Sequence, residues 1–128
     1  MTTELNPDFA QIYSRFKDLL SKYADENLHL RMVKPDQCEL IGPPTPRSLG
    51  REMWFGSARI GKRYVSYHLM PIYAFPDLLD TMSPALKKRM QGKSCFNFTH
   101  VDDQLFTELE VLTERGYERF KQEGFIIT

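Results

Sequence analysis

Residues 53–73, which read MWFGSARIGKRYVSYHLMPIY, predict a β-hairpin. Two stretches rich in β-branched and aromatic residues, Met53–Ile60 and Arg63–Tyr73, flank the dipeptide Gly61-Lys62, and such stretches are typical of strands. Glycine at the first of two central positions favours a type II′ turn. The expected register therefore pairs the two residues that flank the dipeptide and continues outward from them.

The sequence before the hairpin predicts one helix and two more strands. Pro7 suits the first position of a helix that Asn6 would cap. Alternating segments predict strands over residues 28–32 and 38–41, and the proline-rich residues 42–50 predict a loop. Seven apolar residues at intervals of three and four form one helix face: Phe9, Ile12, Tyr13, Phe16, Leu19, Leu20 and Tyr23.

The sequence after the hairpin predicts two helices separated by a short strand. Ser83 would cap the first helix and Gly92 would end it, and residues 94–98 would follow as a strand. A long helix after Asp103, ended by Gly124, has one apolar side. We therefore predict a single α+β domain over residues 1–128, with a mainly antiparallel sheet of about five strands and three helices packed on one face.

Composition excludes several classes of protein. The 128 residues are 41% hydrophobic, which rules out a disordered chain. Seventeen basic and seventeen acidic residues give no net charge, which argues against nucleic acid or an anionic membrane as a partner held by bulk charge. The N-terminal residues have neither a basic start nor an apolar run, so we expect a cytoplasmic protein in which Cys38 and Cys95 are free thiols, with a single disulfide between them as the alternative.

Motifs for catalysis and for cofactor binding are lacking in the sequence. His29, His68 and His100 are isolated from one another and from both cysteines, so the spacing does not predict a metal site. We predict no catalytic residues and no cofactor. Cys95 would become a candidate nucleophile if the fold brought His68 or His100 to it.

Alternation along the hairpin predicts that the face covered by helices carries Trp54, Gly56, Ala58, Val65, Tyr67 and Leu69. The expected register groups six other side chains on the opposite face of the sheet. This group offers a cation, a phenol, two hydroxyls, an imidazole and an aromatic ring, and it would suit a small anion or carboxylate, with a ligand ring stacked on Phe55 or Tyr64. Simple cross-strand packing is the alternative interpretation. The predicted ligand-binding residues are Phe55, Ser57, Arg59, Tyr64, Ser66 and His68.

The same face would carry five apolar or aromatic residues, which is more than a solvated face usually carries. These residues are Met53, Phe55, Tyr64, Met70 and Ile72. A homodimer that covers the face is one interpretation, and a loop at residues 42–51 that folds over it is the other.

Residues 64–73 and 82–98, with 103–109 beyond them, resemble the YdhG-like family of uncharacterised bacterial domains. The lysine-rich turn that precedes a short strand in this family matches Lys87–Phe98. The resemblance implies a compact α+β fold and brings no catalytic residues with it. Some members have been likened to frataxin, which implies iron handling.

Three acids of the last helix, Glu110, Glu114 and Glu118, form a stripe at i, i+4 spacing. They predict a solvated face or, as the alternative that fits iron handling, a weak cation-binding ridge. We expect a small binding or interaction domain, with an iron or divalent-cation chaperone and an enzyme of unknown class as alternatives.

Overall fold

Six strands form one antiparallel sheet in the computed structural model, which describes residues 7–25 and 27–126. The order across the sheet is β1-β2-β3-β4-β6-β5, so β1 and β5 are its edges. The strands are β1 (His29–Lys34), β2 (Gln37–Gly42), β3 (Met53–Ile60), β4 (Val65–Leu69), β5 (Met90–Gln91) and β6 (Cys95–Phe98).

Four helices pack against one face of this sheet, the inner face. They are α1 (Pro7–Ser21), α2 (Met70–Ala74), α3 (Pro84–Lys87) and α4 (Asp103–Gln122), and single 3-10 turns lie at Pro46–Ser48 and Pro76–Leu79. The predicted α+β class with an antiparallel sheet is confirmed. The described chain has six strands and four helices where about five and three were expected.

The apolar stripes of the two long helices form the core with the inner face of the sheet. The predicted stripe of α1 is buried except for Tyr23, which is partly buried. Asp102 caps α4, since its carboxylate accepts a hydrogen bond from the backbone N–H of Leu105 at 3.0 Å. The Asn6 cap predicted for α1 lies outside the described residues.

The hairpin register differs from the prediction. Ile60 pairs with Val65 instead of Arg63, and the connection is the four-residue turn Gly61–Tyr64, closed by a 2.9 Å hydrogen bond from the N–H of Gly61 to the carbonyl of Tyr64. A type II′ turn needs a positive φ at its first central residue, and Gly61 is not among the residues with positive φ. The expected two-residue turn is therefore wrong.

A bulge in β3 reverses the sides of its first residues. Leu40 pairs with Gly56 and Ile41 with Trp54, so Phe55 is an extra residue in β3. Phe55 and Met53 therefore face the core, while Trp54 lies on the other side of the sheet. Position 56 requires glycine here, because a Cβ at this position would lie only 2.7 Å from the carbonyl oxygen of His68.

Two predicted elements end earlier than expected. The strand predicted over residues 63–73 stops at Leu69, because Pro71 cannot donate to a sheet ladder and fits the first turn of α2 instead. The helix capped by Ser83 is confirmed at its start, where the Ser83 hydroxyl accepts from the N–H of Leu86. That helix stops at Lys87, and Gly92 lies in the β5–β6 turn.

Candidate ligand-binding face of the sheet

The outer face of the sheet, opposite the helices, carries two rows of polar side chains. Directly opposed residues of antiparallel strands point to the same face, so the strand pairing defines the rows. The histidine row contains Arg31, Glu39, Ser57, His68, Cys95 and Gln91. The arginine row, nearer the β3–β4 turn, contains Gln37, Arg59, Ser66 and Asn97. All of these residues are partly or fully exposed.

Hydrogen bonds fix the neutral side chains on the β4–β6–β5 side of this face. The Ser66 hydroxyl donates to Asn97 Oδ1 at 2.7 Å, and Asn97 Nδ2 donates to Gln91 Oε1 at 2.6 Å. The Tyr64 hydroxyl donates to the same Gln91 oxygen at 3.1 Å. The phenol of Tyr64 is therefore held over the sheet, although the residue itself lies in the turn before β4.

At the β1–β2 end of the histidine row, Arg31 is paired with two acids. Glu39 accepts from Arg31 Nη2 at 2.8 Å and from Trp54 Nε1 at 3.0 Å. Arg31 also lies 3.1 Å from Glu52. Arg59 is exposed like Arg31, but it has no ion pair with any carboxylate in the described part of the chain.

His68 lies in the middle of its row and is held as a neutral imidazole. Its ring centroid is 4.7 Å from that of Trp54, and its Nε2 is hydrogen bonded to the Ser94 hydroxyl. Nδ1 is buried and has no hydrogen-bond partner among the described residues. Burial lowers the pKa of His68 below its usual range, because it disfavours the charged form.

The fold brings Cys95 beside His68, since the two residues are direct partners in the β4–β6 ladder. Burial raises the pKa of the Cys95 thiol, although a hydrogen bond with Ser66 and the charge of Arg59 act in the opposite direction. A nucleophilic cysteine needs a stabilised thiolate. Because burial disfavours both the thiolate and the imidazolium, the pair has the contact but not the electrostatics of a catalytic dyad.

An open groove lies beside Arg59, at the end of the sheet that carries the β1–β2 and β3–β4 turns. It has a volume of about 560 Å³ and is lined by the β1–β2 and β3–β4 turns. Three cations, Lys34, Arg59 and Lys62, surround it, and Asp36 is the one acid among its lining residues. The groove is therefore electropositive, although the whole chain has no net charge.

Four of the six predicted ligand-binding residues lie on the outer face: Ser57, Arg59, Ser66 and His68. Tyr64 reaches this face through its hydroxyl. The placement of Phe55 was wrong, because the bulge turns its ring into the core, where the residue is fully buried and lies 5.9 Å from the ring of Phe120. A glycine inside a strand pattern, here Gly56, is the sequence signal for such a bulge.

Trp54, Glu39 and Asn97 also lie on the outer face, where the sequence did not predict them. Trp54 was assigned to the core, and only the bulge moves it out. Glu39 and Asn97 reach the face through the pairing of β2 with β3 and of β4 with β6. The β4–β6 pairing joins segments about 30 positions apart, and no local pattern specifies it.

The apolar face on which a homodimer was predicted is not present. Met53, Phe55 and Ile72 are buried in the core, and Met70 packs partly against it. The loop named as the alternative covers part of this set, because Pro43, Pro44 and Thr45 line a small cavity with Met53. The homodimer itself stays a prediction.

Two acids of the predicted cation ridge have basic neighbours. Glu110 accepts from Lys22 Nζ at 2.9 Å, and Glu118 lies 4.0 Å from Lys121 Nζ. Across residues 7–25 and 27–126, no three His, Cys, Asp or Glu side chains come together as a metal site would require. The same residues contain no helix that is both long enough and apolar enough to span a membrane.

Comparisons with protein-family models, with curated proteins and with solved structures found no match for this chain. The resemblance to the YdhG-like family therefore stays a prediction, as do the iron handling and the cytoplasmic location.

Proposed function

We propose that this domain binds a small anionic ligand, through a carboxylate or phosphate group, at Arg59 on the outer face of the sheet. The observation that carries the proposal is that Arg59 is exposed and lacks an ion pair among the described residues, whereas Arg31 on the same face is paired with two acids. A guanidinium without a carboxylate partner on an ordered polar surface is suited to bind an anion.

The neighbours of Arg59 suit this role. Ser66 and Asn97 lie beside it in the arginine row, and both are held by hydrogen bonds that do not involve Arg59. Lys34 and Lys62 on the adjoining groove raise the local positive potential. Arg59 can therefore supply two parallel hydrogen bonds to one anionic group while the lysines attract it.

Cross-strand packing of Arg59 over Tyr64, the other interpretation, has less support. In the described part of the chain the guanidinium groups that lie over aromatic rings belong to Arg15, Arg47 and Arg119. Arg59 is not one of them. Its side chain is thus not engaged by a ring, and the phenol of Tyr64 is left to contact an aromatic ligand.

NMR titration with benzoate and benzamide tests the proposal, because the two molecules share a ring and differ in charge. We expect millimolar benzoate to shift the amide signals of Arg59, Ser66 and Asn97, and benzamide to shift them much less. Inorganic phosphate should shift the same signals and compete with benzoate. Loss of the charged hydrogen bonds in Arg59→Gln should weaken benzoate binding about tenfold or more.

Arg51→Gln is the matched control, since Arg51 is an exposed arginine in the loop before β3 and also has no ion pair in the described structure. Binding to this variant should equal that of the unchanged protein. The proposal is wrong if benzamide binds as well as benzoate, if both variants weaken binding equally, or if millimolar benzoate and phosphate leave the outer face unshifted.

A further inference from the structure

The two edges of the sheet differ strongly in length. The edge strand β5 has two residues, which is too short to pair with much of another chain. The edge strand β1 has six, and only its β2 side is paired by any described strand. A free edge of this length presents a row of backbone N–H and C=O groups that can pair with a further strand.

The side chains of β1 indicate which kind of strand would fit. Five of its six residues are exposed, and Met32 and Val33 each retain 45% of their accessible surface. The ionisable residues of β1 are all bases, namely His29, Arg31 and Lys34, and the strand contains no acid. Arg31 is paired with Glu39 and Glu52, whereas Lys34 has no ion pair in the described structure.

We propose that the free edge of β1 accepts an extended peptide that alternates acidic and apolar residues. Backbone hydrogen bonds would join the peptide to the strand, its acids would lie near Lys34 and His29, and its apolar residues would contact Met32 and Val33. The regular pairing of β1 with β2 continues through Met32, and the bulge at Val33 marks the end of the regular ladder. The peptide therefore pairs mainly with residues 29–32.

A second copy of the chain is a poorer occupant of this edge. Antiparallel pairing of two β1 strands would leave Lys34 of each copy without an opposite charge from the other strand, because β1 contains no acid. An acidic peptide supplies the missing opposite charge, so charge complementarity favours it. This inference rests on backbone pairing at the edge of β1 and not on the small-anion site at Arg59, although Lys34 also lines the groove beside Arg59.

Titration with a synthetic hexapeptide that alternates Glu and Val, acetylated and amidated at its ends, tests the proposal by NMR. We expect shifts concentrated in residues 29–34 and slower amide exchange in β1. A second peptide of the same sequence, N-methylated at every other residue on the pairing side, should lose this binding because it cannot form the ladder. A third peptide with Lys in place of Glu should also fail to bind.

Lys34→Glu should weaken binding of the Glu-Val peptide about fivefold, the effect of one exposed ion pair. Lys87→Glu, at an exposed base in the last turn of α3, should leave binding unchanged. Equal binding of the N-methylated or Lys peptide overturns the proposal, as does the absence of binding at millimolar peptide. The proposal is also overturned if light scattering shows that the protein is a dimer and its two copies pair through β1 in place of the peptide.

Discussion

The indole of Trp54 and the imidazole of His68 lie 4.7 Å apart, centroid to centroid, with an angle of 35° between their planes. The contact exists because Phe55 is an extra residue in β3, which moves Trp54 to the outer face. It places the one tryptophan of the chain against a histidine whose buried Nδ1 has no partner in the part of the chain that the structure describes. The emission of Trp54 should therefore report the charge of His68.

We predict that the fluorescence of Trp54 falls on acidification, with a midpoint below pH 6.5. An imidazolium in contact with an indole quenches its emission, and burial lowers the pKa of His68 from the usual value of 6.5. The imidazole therefore stays neutral at pH 7 and gains its proton only below its usual range. A fluorescence titration from neutral to acidic pH measures the midpoint.

Two variants test whether protonation of His68 causes this fluorescence change. His68→Gln should abolish it, whereas His29→Gln, at an exposed histidine of β1, should leave it in place. A midpoint at or above pH 6.5, or a transition that survives in His68→Gln, would show that His68 is not the group that titrates.

The contrast between Trp54 and Phe55 shows how far the sequence alone can predict this face. Alternation correctly placed Gly56, Ala58, Val65, Tyr67 and Leu69 on the inner face. It placed Trp54 and Phe55 on the wrong sides, because one extra residue moves every side chain that precedes it in the strand to the opposite face.

The hairpin register illustrates a different limit. A shift by two positions in β4 keeps each side chain on its face, so Ser57, Arg59, Ser66 and His68 still share the outer face although their predicted partners were wrong. Local patterns thus gave the helices, most strands and part of the site. Contacts between distant segments, such as that of His68 with Cys95, depend on strand order, which no local pattern encodes.

Gly116→Ala should destabilise the protein, although the same change usually stabilises a helix. Alanine in a helix interior normally gains about 0.5–1 kcal/mol over glycine. Here a Cβ would lie 2.9 Å from Cβ and 3.0 Å from Cγ of Pro71, where α4 crosses α2. A proline ring cannot rotate away, so we expect a net loss of about 1–3 kcal/mol in the free energy of unfolding, measured with urea.

Ser14→Ala, on the exposed side of α1, is the helix control and should change the free energy of unfolding by no more than about 0.5 kcal/mol. If Gly116→Ala instead makes the protein more stable, the close packing of α4 against α2 does not hold in solution.

Tyr67 and Thr113 join the sheet to α4 through a hydrogen bond in the core. Both residues are fully buried, and their side-chain oxygens are 2.8 Å apart. The Thr113 hydroxyl donates to the carbonyl of Leu109 at 2.7 Å. The Tyr67 hydroxyl is therefore the donor between the two side chains, and Thr113 accepts.

This assignment predicts that Thr113→Val costs more than Tyr67→Phe. The valine leaves a buried phenol with no acceptor, at a cost of about 1–3 kcal/mol, whereas the phenylalanine leaves Thr113 bonded to Leu109 and costs about 0.5–1.5 kcal/mol. The double variant should cost less than the sum of the two. Thr107→Val removes the same kind of helix hydrogen bond on the exposed side of α4 and serves as the control. Urea unfolding of all four variants decides the matter: equal losses for Thr113→Val and Thr107→Val would mean that the buried bond contributes nothing.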